Sequence, residues 1–230
     1  MLLYKIMKDH VIAVAGAACK AKNLAPLRAI AEQLTDSKHI SYVDGVMFVD
    51  GQPEVVSPSQ QRASIQEVFA HQGYEKSVII SQSMGAFATV DTLLESPLSR
   101  GIIIAPPLPS PVHLLQSSTY HERTVQRGDV LMVPSYSLSD DQHNPEITPV
   151  ALYGNVIEDV EALSDTFSEK VQDLVEQKRL GVVVPSRDWN RAAVDSASLY
   201  QATIVEGTHS LYTDDANLFA RNSQIIADLA

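Results

Sequence analysis

Residues 77–86 read SVIISQSMGA. Four strand-forming residues, Ser77–Ile80, run into the polar turn Ser81-Gln82-Ser83-Met84-Gly85, and a helical pattern, Ala86–Leu94, follows at once. Two residues before Ser83 stands Ser81, and two after it stands Gly85. A strand that turns this sharply into a helix strains the central residue and pushes its side chain clear of the sheet. Only small residues fit on either side, because larger ones meet the helix. The rest of the chain repeats the same alternation. Val11–Ala15, Ile40–Val43, Gly101–Ala105, Gly181–Val184 and Ala202–Val205 are short, β-branched and almost continuously apolar. Strands buried on both faces of a parallel sheet read this way. Between them Asn23–Leu34, Gln60–His71, Val156–Gln177 and Ala216–Leu229 carry apolar residues at spacings of three and four, the mark of helices with one buried face. Strand and helix in alternation predict an α/β fold with a mostly parallel sheet.

One stretch departs from that rhythm. Seven of the twelve prolines fall between Pro106 and Pro149, with a single strand-like run, Val130–Val133. It reads as a cap-like excursion of about residues 106–149 from one domain spanning 1–230. With 45% apolar and 20% charged residues, 230 residues suffice for a core without disulfide or metal staples. The net charge of −11, from 17 basic against 28 acidic residues, argues against a nucleic-acid partner. The single cysteine, Cys19, excludes an internal disulfide and a cysteine-rich metal site. His113, His121 and His143 lack metal-ligand spacing, and no phosphate loop or dinucleotide fingerprint occurs, so neither metal nor cofactor is expected. Lys5 and Lys8 before the run Val11–Cys19 faintly suggest a signal peptide. The run is too short, however, and Asp9-His10 directly precedes it. No stretch is long and apolar enough to span a membrane, and a cytoplasmic location is the expectation.

The small-x-Ser-x-Gly pattern between strand and helix, with the strand before it, the helix after it and the downstream partners, resembles the α/β-hydrolase superfamily over nearly the whole chain. The resemblance implies a three-layer fold with helices on both faces of the sheet. The superfamily's usual first small residue is Gly, where this chain has Ser81. Its members often open with a two-stranded antiparallel lead-in, of which only Leu2–Met7 could supply a part. A trimmed sheet of about six strands is therefore expected, with a further edge strand from Leu2–Met7 or Val130–Val133. Such an edge could pair with a second subunit.

The resemblance further implies that Ser83 is a nucleophile, followed in chain order by an acid and then a histidine. Glu206-Gly207-Thr208-His209-Ser210 follows the strand Ala202–Val205 and looks like the superfamily's histidine loop. None of the other six histidines has that context. Two acids compete. Asp188 lies in the loop after Gly181–Val184, where open α/β sheets gather catalytic groups, and 21 residues before His209. Asp159 follows Pro149–Gly154, which also resembles the strand before the acid, but it stands 50 residues before His209 and inside a helical stripe. The reading favours Asp188. Oxyanion donors would be the backbone N–H of Met84 and, by resemblance, that of Ala17, in a loop that reads Ala15-Gly16 where relatives often have His-Gly. Gly16, Phe87 and Leu108 are candidate pocket residues, with Tyr120, His121 and Tyr136 offered by the excursion. The expected activity is hydrolysis of a carboxylic ester or thioester of a small or medium acyl group. The alternatives are C–C hydrolysis, acyl transfer or a lyase step on the same triad, and a non-catalytic ligand-binding member of the fold.

Overall fold

The computed structural model describes residues 10–16, 21–45, 47–49, 52–54, 57–72, 76–108, 125–127, 130–136, 147–188, 190–209, 211, 213 and 215–230. Six strands form one fully parallel sheet: β1 (His10–Val14), β2 (Ile40–Val43), β5 (Ser77–Gln82), β6 (Arg100–Ile104), β10 (Leu180–Pro185) and β11 (Thr203–Val205). Their spatial order is β11-β10-β6-β5-β1-β2. The strand carrying the Ser83 turn therefore lies inside the sheet, between β1 and β6. All six residues of β5 are buried, as the unbroken apolar run requires.

Alternate residues of these strands feed two cores. Ile12, Val14, Ile79, Ile103, Val182 and Val184 point to one face. There they meet Ile65 of α2 (Pro58–Gln72), Phe87 of α3 (Gly85–Glu95) and Phe167, Val171 and Leu174 of α4 (Gly154–Glu176). Val11, Ala13, Val78, Ile80, Ile102, Ile104, Val183 and Val205 point to the other. That face is covered by Leu27, Ile30 and Ala31 of α1 (Ala25–Leu34) and Ile226 of α6 (Ala216–Ala227). The period of two along a strand separates the faces, and the helical period of 3.6 supplies each cover. A short helix, α5 (Arg191–Asp195), follows β10.

Among the described residues, five strands lie outside the main sheet. Met47–Val49 (β3) and Gln52–Glu54 (β4) pair as an antiparallel hairpin. Val125–Arg127 (β7), Val130–Tyr136 (β8) and Ile147–Tyr153 (β9) form a three-stranded antiparallel sheet. Two of the options left open by the sequence close accordingly. Val130–Val133 adds no edge to the main sheet, because it is the start of β8 and pairs with β7 and β9. The run around Pro149–Gly154 is not a core strand before an acid: β9 ends at Tyr153 and α4 begins at Gly154. The described part of this antiparallel sheet runs from Val125 to Tyr153. Leu2–Met7 lies outside the described residues.

His10 opens β1 at the amino end of the sheet, opposite the Ser83 turn. It is 2% exposed, and its Nε2 lies 3.1 Å from Oγ of Ser41. Burial, with the charge of His39 adding to it, lowers its pKa below the ordinary 6.5. The unfolded chain therefore takes up this proton at a higher pH than the folded one, so stability is lost as pH falls below about 6.5. Between pH 7 and pH 5 the urea midpoint of wild type is expected to fall further than that of His10→Gln. Equal falls would remove His10 from the acid response.

Candidate active site

Ser83 stands between Gln82, the last residue of β5, and the start of α3. Its φ is 51°, a left-handed conformation that costs an L-residue roughly 1–2 kcal/mol. Its N–H donates to the carbonyl of Ile104 at 2.9 Å, and its carbonyl accepts from Ala86 N–H at 3.0 Å. Met84 is the N-cap of α3. The first N–H groups of a helix have no acceptor within it, and they lie at the positive end of the helix dipole.

The loop after β1 passes directly over this turn. A Cβ added to Gly16 would lie 2.8 Å from Cβ of Ser83 and 2.9 Å from the carbonyl oxygen of Gln82. One added to Gly85 would lie 2.7 Å from the carbonyl oxygen of Ala15. Both glycines are required by close backbone approach. The Ala15 carbonyl also accepts from Nε2 of the buried Gln61 in α2, at 2.8 Å.

Asp188 and His209 come together at the same edge. The hydrogen bonding of β10 and β11 continues past the strand ends: Ser186 N–H donates to Val205 at 2.8 Å and Arg187 N–H to Gly207 at 2.8 Å. This carries the two following loops side by side. Asp188 is fully buried. Its Oδ1 accepts from the N–H of Asn190 at 2.8 Å, and Oδ1 and Oδ2 lie 3.0 and 3.1 Å from Nδ1 of His209. An ionised carboxylate only accepts, so in this pairing Nδ1 carries the hydrogen. In a neutral ring that leaves Nε2 as the acceptor. Asn190 braces the acid loop by donating from Nδ2 to the Leu108 carbonyl at 3.0 Å and capping α5 with Oδ1. Asn222 of α6 donates to the Glu206 carbonyl at 2.6 Å and braces the histidine loop. Gln82 joins that loop to the Ser83 turn: its Nε2 donates to the His209 carbonyl at 3.0 Å.

The competing acid, Asp159, falls inside α4 and not in a loop at a strand end. Phe87 and Leu108 are each 1% exposed and belong to the core, the Phe87 ring lying 4.5 Å from that of Phe167 at 51°. Both present almost no surface of their own. Tyr136 lies in β8. Ala17, Cys19, His113, Tyr120, His121 and His143 lie outside the described residues. Gln82, Asn190, Gln61 and Asn222 were not singled out from the sequence, which marks them with no motif. Among the described residues no three His, Cys, Asp or Glu side chains cluster as metal ligands, and no helix is long and apolar enough to cross a membrane.

Solved structures match the chain over almost its full length. The monoacylglycerol lipase of Paleococcus ferrophilus aligns with a TM-score of 0.64 at 13% identity, over 96% of this chain and 94% of that one. The esterase domain of a Rhodothermus marinus protein aligns with a TM-score of 0.62 at 16% identity, over 97% and 88%. The thioesterase domain of the curacin biosynthetic pathway aligns with a TM-score of 0.53 at 14% identity, over 95% and 91%. No family model and no curated protein matches the sequence. At such identities the likeness is one of architecture: the chain has the α/β-hydrolase fold.

The two glycines give a direct check on the packing of the turn. Gly16→Ala and Gly85→Ala each place a methyl group under 3 Å from fixed atoms. Each should cost about 1–3 kcal/mol of stability in urea unfolding. A variant as stable as wild type would show that the loop after β1 can move away from Ser83.

Proposed function

We propose that the chain is a serine hydrolase that cleaves a carboxylic ester or thioester of a small or medium acyl group. The reading takes 1–230 as one unit of the fold, with the antiparallel excursion between β6 and α4. The observation that carries it is the buried Asp188 carboxylate held against Nδ1 of His209, at the sheet edge where Ser83 takes its left-handed turn. The neighbouring structures named as lipase, esterase and thioesterase support the substrate class by analogy of fold.

The chemistry follows from the roles. Oγ of Ser83 attacks the acyl carbonyl carbon as Nε2 of His209 takes the hydroxyl proton. Asp188 keeps the proton on Nδ1 and stabilises the imidazolium. The carbonyl oxygen becomes an oxyanion, met by the N–H of Met84 and, by resemblance, that of Ala17. Each donor contributes on the order of 3 kcal/mol. Collapse breaks the bond to the alcohol or thiol, which leaves with the proton from His209. Water then attacks the acyl-enzyme by the same relay, releasing the acid and restoring Ser83. No cofactor takes part in this scheme. The expected partner is a small acyl substrate, in the cytoplasm.

Treatment with a fluorophosphonate should add one adduct to wild type by intact mass, and none to Ser83→Ala. Asp188→Asn and His209→Gln should lower turnover of a p-nitrophenyl ester roughly 10⁴-fold. An adduct retained by Ser83→Ala would remove Ser83 as the nucleophile.

A further inference from the structure

We propose that Gln82 is a positioning residue that sets the placement of His209 relative to Ser83, an inference that rests on the hydrolase reading above. Two different sets of bonds are needed to align a nucleophile with its base. One set fixes His209 against Asp188: the ladder continued from β10 and β11 into Ser186 and Arg187, and the Asp188–His209 contact itself. These bonds say nothing about Ser83, because β5 is separated from β11 in the sheet by β6 and β10.

Gln82 spans that gap. It is the residue immediately before Ser83, so its backbone is fixed by the β5 ladder, where it is registered against Ile104. Strand alternation sends its side chain to the face of Ile80, which is the face covered by α1 and α6. The histidine loop leads into α6 on that same face, and Leu211, two residues after His209, belongs to that core. The side chain is 7% exposed, and Nε2 donates to the His209 carbonyl across 127 residues of chain at 3.0 Å. The acceptor is a backbone oxygen, so the bond holds the main chain that carries the imidazole and leaves the ring free to exchange protons. A carbonyl needs a donor. Methionine at position 82 offers none, and glutamate offers ionised oxygens that repel it.

A displacement of about 1 Å between reacting groups costs up to on the order of 100-fold in rate. The test is the second-order rate of Ser83 phosphonylation by a fluorophosphonate in the full chain, with kcat and KM for p-nitrophenyl acetate beside it. Gln82→Met should react about 10- to 100-fold more slowly, with kcat reduced and KM unchanged. Gln82→His, which returns an N–H donor, should recover part of the rate. Gln82→Glu, equal in shape but lacking the donor, should be as slow as Gln82→Met at pH 8, and serves in its place if the methionine variant does not fold. Wild-type rates in the donor-less variants would overturn the role of Gln82 while leaving the hydrolase reading intact. So would a histidine variant no faster than the methionine one, since only packing would then be at stake. A wild type that takes no adduct on Ser83 would overturn both.

Discussion

Ser83 keeps its left-handed backbone because the structure fixes it on every side. Its N–H is bonded to Ile104 in β6, its carbonyl opens α3, and the loop after β1 runs close enough to leave no room for a Cβ at Gly16 or Gly85. Strain of roughly 1–3 kcal/mol persists only where the surroundings over-determine it. Here those surroundings are three adjacent strands of a parallel sheet, β1, β5 and β6, each buried on both faces. Removing the close contact at Gly16 or the β6 bond would let the turn relax.

Parallel geometry explains why the other groups arrive at the same edge. Every strand of the main sheet points the same way, so every following loop emerges at one end: Gly16 after β1, Ser83 after β5, Asp188 after β10 and His209 after β11. Residues far apart in the chain become neighbours through strand order. The loops are then joined by bonds to backbone atoms, from Arg187 to Gly207, Asn222 to Glu206 and Gln82 to His209. Such bonds fix the main chain of the loops and are accepted by backbone oxygens, not by side chains.

The six core strands were legible because a strand buried on both faces has a continuous apolar signature. The long helices were legible because one buried face imposes a period of 3.6. Asp188 could be preferred to Asp159 on the same grounds, since one follows a strand and the other sits in a helical stripe. The antiparallel strands were harder. Val125-Gln126-Arg127 and Gln52-Pro53-Glu54 have neither an apolar run nor an alternation that would mark a strand. Ile147–Tyr153 is apolar enough to pass for a core strand, and only its pairing with β8 assigns it elsewhere. The bond from Gln82 to the histidine loop was not legible for a related reason: its partner lies 127 residues away, and a lone glutamine before a serine has no local signal.

That Ser83, His209 and Asp188 act as one unit can be checked in a crystal structure of the phosphonylated protein. Phosphorus should be bonded to Oγ of Ser83, with Nε2 of His209 within hydrogen-bond reach of that oxygen and the phosphoryl oxygen on the N–H of Met84. Phosphorus on another side chain, or an imidazole turned away from Ser83 while still bonded to Asp188, would contradict it.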